Sequence, residues 1–410
     1  MSRFHKFGRA LFGACICFFS VLAHADVSSW SVWFNSQIEQ HPQIVAAREQ
    51  LLGTQASADA AEQPLFNPEL STDLERNAGA SNYRVGVRQT IDWWDQRGAQ
   101  TQKAMFMRGA AEALYRQQLL EKSAEAISAL VEWEAASQAA SITKEQKNFL
   151  DKLLEQVDKR QRLGDLGSVD AELTFLSLSE RLAQVAEAEA AIRKAEIRLA
   201  ELLPEWTPEK GGVPAGFWPS APAPTTDQDL LQHPAVAGAQ ARWQTLTREA
   251  DVVRLSTKAK PTFGVNAGRD GGEHVVGVAV SIPLNVRNNF SAETRAASQM
   301  ALEAEARFQD VYRKQRFSWR AAHAAWWRYA EQYDRWQELV QGRIEKSSDL
   351  LRQQWNGGDL STTEYLQALN QRADSLSAGI ALEKQARLAL ADVLLQSGEL
   401  VQLLDRSNLR

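Results

Sequence analysis

The chain has 410 residues, of which 44% are hydrophobic and 24% are charged, and its formal net charge is −5. Its mean hydropathy is −0.38, and its only long apolar run lies within the first 25 residues. These values exclude an integral membrane protein built from helices, because each spanning helix needs about 20 apolar residues. The acidic balance also argues against nucleic acid as a partner.

The first 25 residues have the pattern of a secretory signal peptide. A positively charged start is followed by an apolar stretch over residues 10–22 and by a cleavage site with small residues at Ala23 and Ala25. The apolar stretch is too short for a spanning helix. A lipoprotein signal at Cys15 is the alternative, but it would leave only about five apolar residues before the cysteine.

Cleavage after Ala25 would leave 385 of the 410 residues. It would remove three Lys or Arg and no Asp or Glu, so the net charge would become −8. Both cysteines, Cys15 and Cys17, would also be removed. The mature chain would then have no disulfide and no cysteine-ligated metal, and we expect it to be held together by packing alone.

Proline and glycine divide the chain into two long helical blocks. Residues 110–163 and 284–341 contain neither residue, and the first block is rich in strong helix formers. Seven of the 12 prolines lie between residues 204 and 234, and proline breaks helix interiors. We therefore predict two helical halves and a Pro-rich connector. Helices of this length need partner helices along their length, as in coiled coils.

Four pairs of short segments recur at an offset of 191–194 residues. They are His41–Ala46 with His233–Gly238, Pro68 with Pro261, Gln89–Ile91 with Val280–Ile282, and Gly164–Asp170 with Gly358–Glu364. A recurring offset indicates an internal duplication. We predict repeats at residues 26–203 and 233–410, joined by the connector at 204–232. Each repeat would contain a helix, a β-hairpin, a long helix and a returning helix.

Alternating apolar and polar residues predict the two hairpins, at about residues 68–91 and 261–283. In the first, Leu70, Thr72 and Leu74 share one face, and acidic and hydroxyl side chains share the other. Strands of about 8–10 residues have the length of a transmembrane β-strand. The same pattern also fits two small hairpins packed on the helices of a soluble protein.

The turn of the second hairpin is predicted at Arg269–Glu273, because Asp-Gly-Gly is a strong hairpin signal. Trp93 and Trp94 follow the first hairpin directly, where they suit either a membrane interface or core packing. Four strands are too few to close a barrel, so a membrane barrel would need several copies of the chain.

The order of these elements resembles the TolC family of outer-membrane factors over essentially the whole mature chain. The most specific similarities are Asn67–Leu70, Gln89–Ile91, Ser281–Leu284, and the two Gly-Asp-Leu segments at Gly164–Leu166 and Gly358–Leu360. The compact length and short hairpin turns are most similar to the branch that serves heavy-metal efflux pumps. The expected fold is mainly α with a small β part.

The resemblance implies a homotrimer in the outer membrane of a Gram-negative cell, in contact with its lipid. Three chains would contribute four strands each to one twelve-stranded β-barrel, and their helices would form an α-helical barrel in the periplasm. It also implies a passive exit duct of a tripartite efflux system, for metal cations or small toxic compounds. The partners would be a periplasmic adaptor protein and an inner-membrane RND-type pump. No enzyme activity and no cofactor are expected.

Two alternatives remain open at this point. The same fold also fits a channel for type I protein secretion, and the sequence scarcely separates these two functions. A soluble periplasmic coiled-coil scaffold is the alternative from another class, and cell fractionation would separate it from a channel.

The resemblance places the two Gly-Asp-Leu segments at the periplasmic tip, where the adaptor docks. The docking residues would be Leu163, Gly164, Asp165, Leu166, Gly358, Asp359 and Leu360. The family's tip motif is Val-Gly-Leu, so Leu163-Gly164-Asp165 matches it only in part. The alternative is a plain helix-hairpin turn, in which Ser168 and Thr362 cap the returning helices.

Four carboxylates per chain lie near this predicted tip: Asp165, Asp170, Asp359 and Glu364. In a trimer they would surround one opening, and rings of carboxylates favour cations. Our hypothesis is that they set cation selectivity and help to hold a closed gate. The alternative is a solvated acidic end without a gating role.

No metal site is predicted. The mature chain has four histidines, which are far apart and lack ligand spacing: His41, His233, His274 and His323. His41 and His233 each precede a proline at a predicted helix start, which favours a structural role.

Overall fold

The computed structural model describes residues 13–77, 80–162, 168–223, 225–340 and 343–408. This part of the chain is mainly α-helical with one four-stranded antiparallel sheet, which confirms the predicted fold class. The helices are α1 (Gly13–Gln40), α2 (Pro42–Ala61), α3 (Gln96–Arg162), α4 (Ser168–Leu202), α5 (Asp227–Leu231), α6 (Pro234–Ser256), α7 (Ser291–Val340), α8 (Arg343–Gly357), α9 (Thr362–Ser397) and α10 (Glu399–Asn408). The strands are β1 (Glu69–Asn77), β2 (Ala80–Thr90), β3 (Thr262–Asp270) and β4 (Glu273–Ser281).

The helices differ in composition from membrane-spanning ones. Within the described ranges, none combines the length and the apolar character that crossing a membrane requires.

The chain forms two compact units. The first consists of Met1–Ile44, Leu119–Asp229 and Arg316–Arg410, and the second of Val45–Gln118 and Leu230–Gln315. Each unit contains segments from both predicted repeats, because α3 and α7 are long enough to contribute to both units. The repeat boundaries therefore stay a prediction from the sequence.

The sheet belongs to the second unit and has the strand order β1-β2-β3-β4. One row of paired residues runs across all four strands, from Leu70 through Val87 and Val265 to Val278. Residues two positions away along a strand share a face, so apolar side chains collect on this side of the sheet. The predicted alternation of the first hairpin is thereby confirmed.

The opposite face of the sheet is polar. Arg84 lies opposite Asp73 in the register, and its guanidinium also donates to the Asp270 carboxylate at 2.7 Å. The hairpin turn between β3 and β4 is tighter than predicted, because Gly271 and Gly272 both adopt positive φ and pairing continues to Asp270. The prediction that Arg269 and Glu273 belong to the turn was therefore wrong, since both lie in strands.

The core of the first unit includes a group of buried side chains at one end of its long helices. We call it the turn cluster: Leu150, Leu153, Val157, Trp355, Tyr365 and Leu366. The side chains of Trp355 and Tyr365 stack with ring centroids 5.0 Å apart, and Phe149 meets Tyr365 edge-on at 5.8 Å. This packing joins α3, α8 and α9.

Aromatic side chains also anchor the Pro-rich connector within the first unit. Trp206 is buried against Trp133, with ring centroids 4.9 Å apart, and its indole N–H donates to the Gly211 carbonyl at 3.0 Å. Phe217 packs on Trp30 in the same unit. The connector is thus a packed element of the unit, in keeping with its content of proline and tryptophan.

Candidate functional site

The first predicted tip segment falls outside the part of the chain that the structure describes. This applies to Leu163, Gly164, Asp165 and Leu166. Asp170 lies in the first turn of α4, but its side chain is outside the description. The site can therefore be built from the second segment, between α8 and α9.

The second segment is a helix-ending turn. Gly358 adopts φ of 84°, a left-handed conformation that favours glycine. The backbone N–H groups of Asp359 and Leu360 then donate to the Gln354 carbonyl, at 2.9 and 3.3 Å. These bonds satisfy a carbonyl that the end of α8 leaves free, so the chain reverses within a few residues.

The next helix, α9, begins with a capping box. The Ser361 hydroxyl accepts from the Glu364 N–H at 3.2 Å, and the Glu364 carboxylate accepts from the Ser361 N–H at 3.0 Å. The prediction that Thr362 caps this helix was therefore wrong. Thr362 is instead the first helical residue of α9, and it is buried. Its hydroxyl accepts from the Trp355 indole N–H at 3.4 Å.

The capping box also sets the protonation of Glu364. Hydrogen bonds from the Ser361 backbone and hydroxyl lower the pKa of this carboxyl, because they stabilise its charged form. Glu364 and Asp359 are both exposed, so this end of the helix pair presents two carboxylates to its surroundings.

Leu360 has a different environment from its charged neighbours. It is partly buried and packs against the turn cluster, close to the stacked pair Trp355 and Tyr365. Sequence reasoning did not single out this aromatic pair. The signal was a Trp three residues before Gly358 and a Tyr seven residues after it, on helices that must meet if the chain reverses there.

A second candidate site is the apolar face of the sheet. Its side chains stay exposed: Leu74 is 85% accessible, Val278 83% and Val276 82%. Trp93 and Trp94, just beyond β2, are exposed as well, and the Lys258 ammonium lies 5.0 Å from the Trp94 ring. An apolar face of this extent indicates a surface that contacts lipid or another chain.

Metal-ligating residues do not cluster in the described ranges. No group of three or more His, Cys, Asp or Glu side chains is placed there to hold a metal ion.

Comparison with known proteins agrees with this architecture. The family model described as "Outer membrane efflux protein" matches residues 33–204, which covers the first predicted repeat. No curated protein matches the chain at a significant level. The predicted resemblance is therefore confirmed for these residues, and the family match indicates an outer-membrane location.

Solved structures extend the similarity of fold to about nine tenths of the chain. The CmeC outer membrane channel of Campylobacter jejuni matches with a TM-score of 0.74 at 13% identity, covering 92% of this chain and 88% of that one. A structure of CusC, which concerns folding and transmembrane channel formation, matches with a TM-score of 0.75 at 14% identity. The match covers 90% of this chain and 92% of CusC. The open state of the MtrE outer membrane channel of Neisseria gonorrhoeae matches with 0.69 at 16% identity, covering 90% and 88%. The chain thus has the fold of outer-membrane efflux channels.

Proposed function

We propose that this protein is the outer-membrane channel of a tripartite efflux system, a passive exit duct that works as a homotrimer. The observation that supports this most directly is the sheet, whose apolar face is exposed along all four strands. Such a face is costly in water, because each apolar side chain left exposed forfeits about 1.5–3 kcal/mol of burial. Lipid around the sheet would remove that cost.

The open edges of the sheet support the trimer. Strands β1 and β4 each pair on one side only within the described chain, so each has a free edge. Joining β4 of one copy to β1 of the next would satisfy both edges, and three copies would close twelve strands into a barrel. Backbone groups in lipid need this closure, because no water is present to bond them.

The experiment is to extract the protein from outer membranes, measure its oligomeric state by native mass spectrometry, and record single-channel currents in planar bilayers. We expect a trimer with stable conductance. A monomer recovered in the periplasmic extract would contradict the proposal and favour a coiled-coil scaffold.

We further propose that the segment around Gly358 contacts a periplasmic adaptor, with Asp359 exposed to the partner. Leu360 would act indirectly, by packing the turn against the turn cluster. A photo-cross-linking residue at position 359 should capture the adaptor encoded beside the pump, whereas one at the exposed Glu303 of α7 should not. Equal capture at both positions would contradict docking at the turn.

The acidic end of the helices is our candidate for cation selectivity, through Asp165, Asp170, Asp359 and Glu364. Rings of carboxylates attract cations and repel anions, and the Ser361 hydrogen bonds that lower the pKa of Glu364 favour its charged form. Asp170→Asn and Glu364→Gln should each reduce the preference for cations in single-channel recordings, while Glu303→Gln should not. An unchanged preference for cations in both variants would contradict this assignment.

The cargo is expected to be metal cations or small toxic compounds, driven by an inner-membrane pump of the RND type. Export of proteins by a type I system is the alternative use of the same duct. A deletion strain that becomes sensitive to metal salts but still secretes proteins would support efflux.

A further inference from the structure

A cavity of about 360 Å³ lies within the first compact unit, between α3, α4, α8 and α9. Four of its lining residues are basic: Lys152, Arg181, Arg352 and Arg372. Among the described residues that line it, Glu145 is the only acid. The cavity therefore carries an excess of positive charge within a chain whose net charge is negative.

Arg181 is the innermost of these cations. Its residue is only 6% exposed, and its guanidinium donates to two neutral amide oxygens, those of Gln184 and of Asn370, the latter at 2.8 Å. An arginine has five N–H donors and keeps its charge at all relevant pH values. Burial of this charge among neutral partners is unfavourable, so the cavity favours an anion.

The rest of the wall is mixed, with the amides Gln146, Asn148 and Asn370 beside a group of apolar side chains. Phe149, Leu369 and Leu376 line it together with Ile142. The volume lies within the roughly 300–1,000 Å³ that small-molecule sites occupy, and such sites combine apolar walls with a few placed polar groups. A bare inorganic anion would use the arginine and leave the apolar wall without a partner.

We propose that this cavity binds a small organic carboxylate. Its carboxylate would pair with the Arg181 guanidinium, which can offer two parallel N–H groups to two oxygens. Its aromatic or aliphatic body would pack on Phe149 and Leu369. Arg352, which is exposed and contacts the Tyr365 hydroxyl, would add charge at the entrance.

This site is independent of the proposed duct function. It lies on the helices of one chain, and of the carboxylates assigned to cation selectivity, the two whose side chains the structure describes, Asp359 and Glu364, do not line it. Loss of anion binding would leave trimer formation and conductance unaltered, so the two proposals fail separately.

The test is isothermal titration calorimetry on the purified full-length protein in detergent, with sodium benzoate, benzamide and inorganic phosphate as probes. We expect benzoate to bind and benzamide, its uncharged analogue, to bind at least about tenfold more weakly, because a hydrogen bond to a charged group is worth more than a neutral one. Phosphate should also be weaker, since it cannot use the apolar wall. Equal affinity for phosphate and benzoate would overturn the assignment to organic carboxylates.

Variants then locate the site. Arg181→Gln should weaken benzoate binding by about tenfold or more, and Arg352→Gln by a smaller factor, because it removes charge only at the entrance. The matched control is Arg193→Gln on the same helix α4, which removes an exposed arginine paired with Glu196. Arg352→Gln changes an exposed residue, so it keeps the test valid if Arg181→Gln fails to fold.

Two further results would overturn the proposal. The first is a wild-type protein that binds no benzoate at millimolar concentration. The second is equal affinity in Arg352→Gln, Arg181→Gln and Arg193→Gln. If the trimer binds no benzoate and Arg181→Gln dissociates it, the anion in the cavity is an acidic side chain of a neighbouring copy, which also contradicts a small-molecule site.

Discussion

In the sheet of the second unit, Leu74 is 85% exposed, whereas in the turn cluster of the first unit Leu153 is 2% exposed. Both are leucines in regular secondary structure, so the difference in exposure depends on what each region packs against. The turn cluster finds its partners within one chain, on α3, α8 and α9. The apolar face of the sheet is exposed and packs against none of the described residues, which leaves it open to lipid or to another chain.

The comparison separates two kinds of stability. The turn cluster is expected to hold in any solvent that keeps the helices folded, because its apolar contacts are internal. The sheet is expected to depend on lipid or detergent and on neighbouring copies, because its face and its edges are open. The effects of substitutions in the two regions should therefore be detected by different measurements.

The largest effect is expected inside the turn cluster. Leu153→Ala should lower the free energy of unfolding by about 2–5 kcal/mol, because it removes buried methyl groups and leaves a cavity. Guanidinium unfolding of the purified protein in detergent measures it. Leu350→Ala on α8, where the side chain is exposed, is the control and should cost less than about 0.5 kcal/mol. Similar values for both would mean that the cluster is not a core.

The next effect is expected on the sheet. Val278→Lys places a charge on the apolar face and should cost about 2–4 kcal/mol if that face meets lipid. The measurement is the yield of trimer in the outer membrane. Ala279→Lys, one position along β4 and on the opposite face, is the matched control and should assemble almost normally. Loss of assembly in both variants, or in neither, would contradict a lipid-facing side.

The sequence predicted the sheet well because the strand period is a local property. Alternation at Leu70, Thr72 and Leu74 predicts the apolar face from the sequence alone, and the strand register confirms it. The block without Gly and Pro at 110–163 is only part of a longer helix. Helix α3 begins at Gln96, where the Asp92 carboxylate accepts from the N–H groups of Gln96 and Arg97. That cap was readable from the sequence.

Other features could not be read from local pattern. Helix α9 continues through Gly379, a glycine that lies against the Trp336 ring, where a Cβ would clash. The cap at Ser361 and not at Thr362 depends on Thr362 being buried beside Trp355. The first depends on a contact between helices that are distant in sequence, as does the arginine cavity, and the second on a contact between two consecutive helices.

At the turn itself, Ser361→Ala should cost about 0.5–2 kcal/mol, because the hydroxyl that caps the Glu364 N–H is lost. The measurement is again guanidinium unfolding at pH 7. Ser361→Thr is the control, since threonine keeps the capping hydroxyl. A cost as large as that of Leu153→Ala would mean that the cap and the turn cluster form one cooperative structure.

The charge of Glu364 makes a smaller contribution that depends on pH. Its pKa is lowered in the folded protein, so its stabilising effect is present above the unfolded pKa and is lost as the pH falls through the folded pKa. Glu364→Gln keeps an acceptor at this position and removes the titration. The stability difference between wild type and variant should therefore shrink on acidification. A difference independent of pH would contradict the role of the charge.

The smallest effect is expected on the polar face of the sheet, where Arg84 and Asp270 form an ion pair with both side chains nearly half exposed. A double-mutant cycle with Arg84→Gln and Asp270→Asn should give a coupling of at most about 1 kcal/mol, falling as salt is added. Salt can screen the pair only if water reaches it. A larger coupling energy that does not change with salt would mean that this face is also shielded from water. The sheet would then have no solvated face to line a duct.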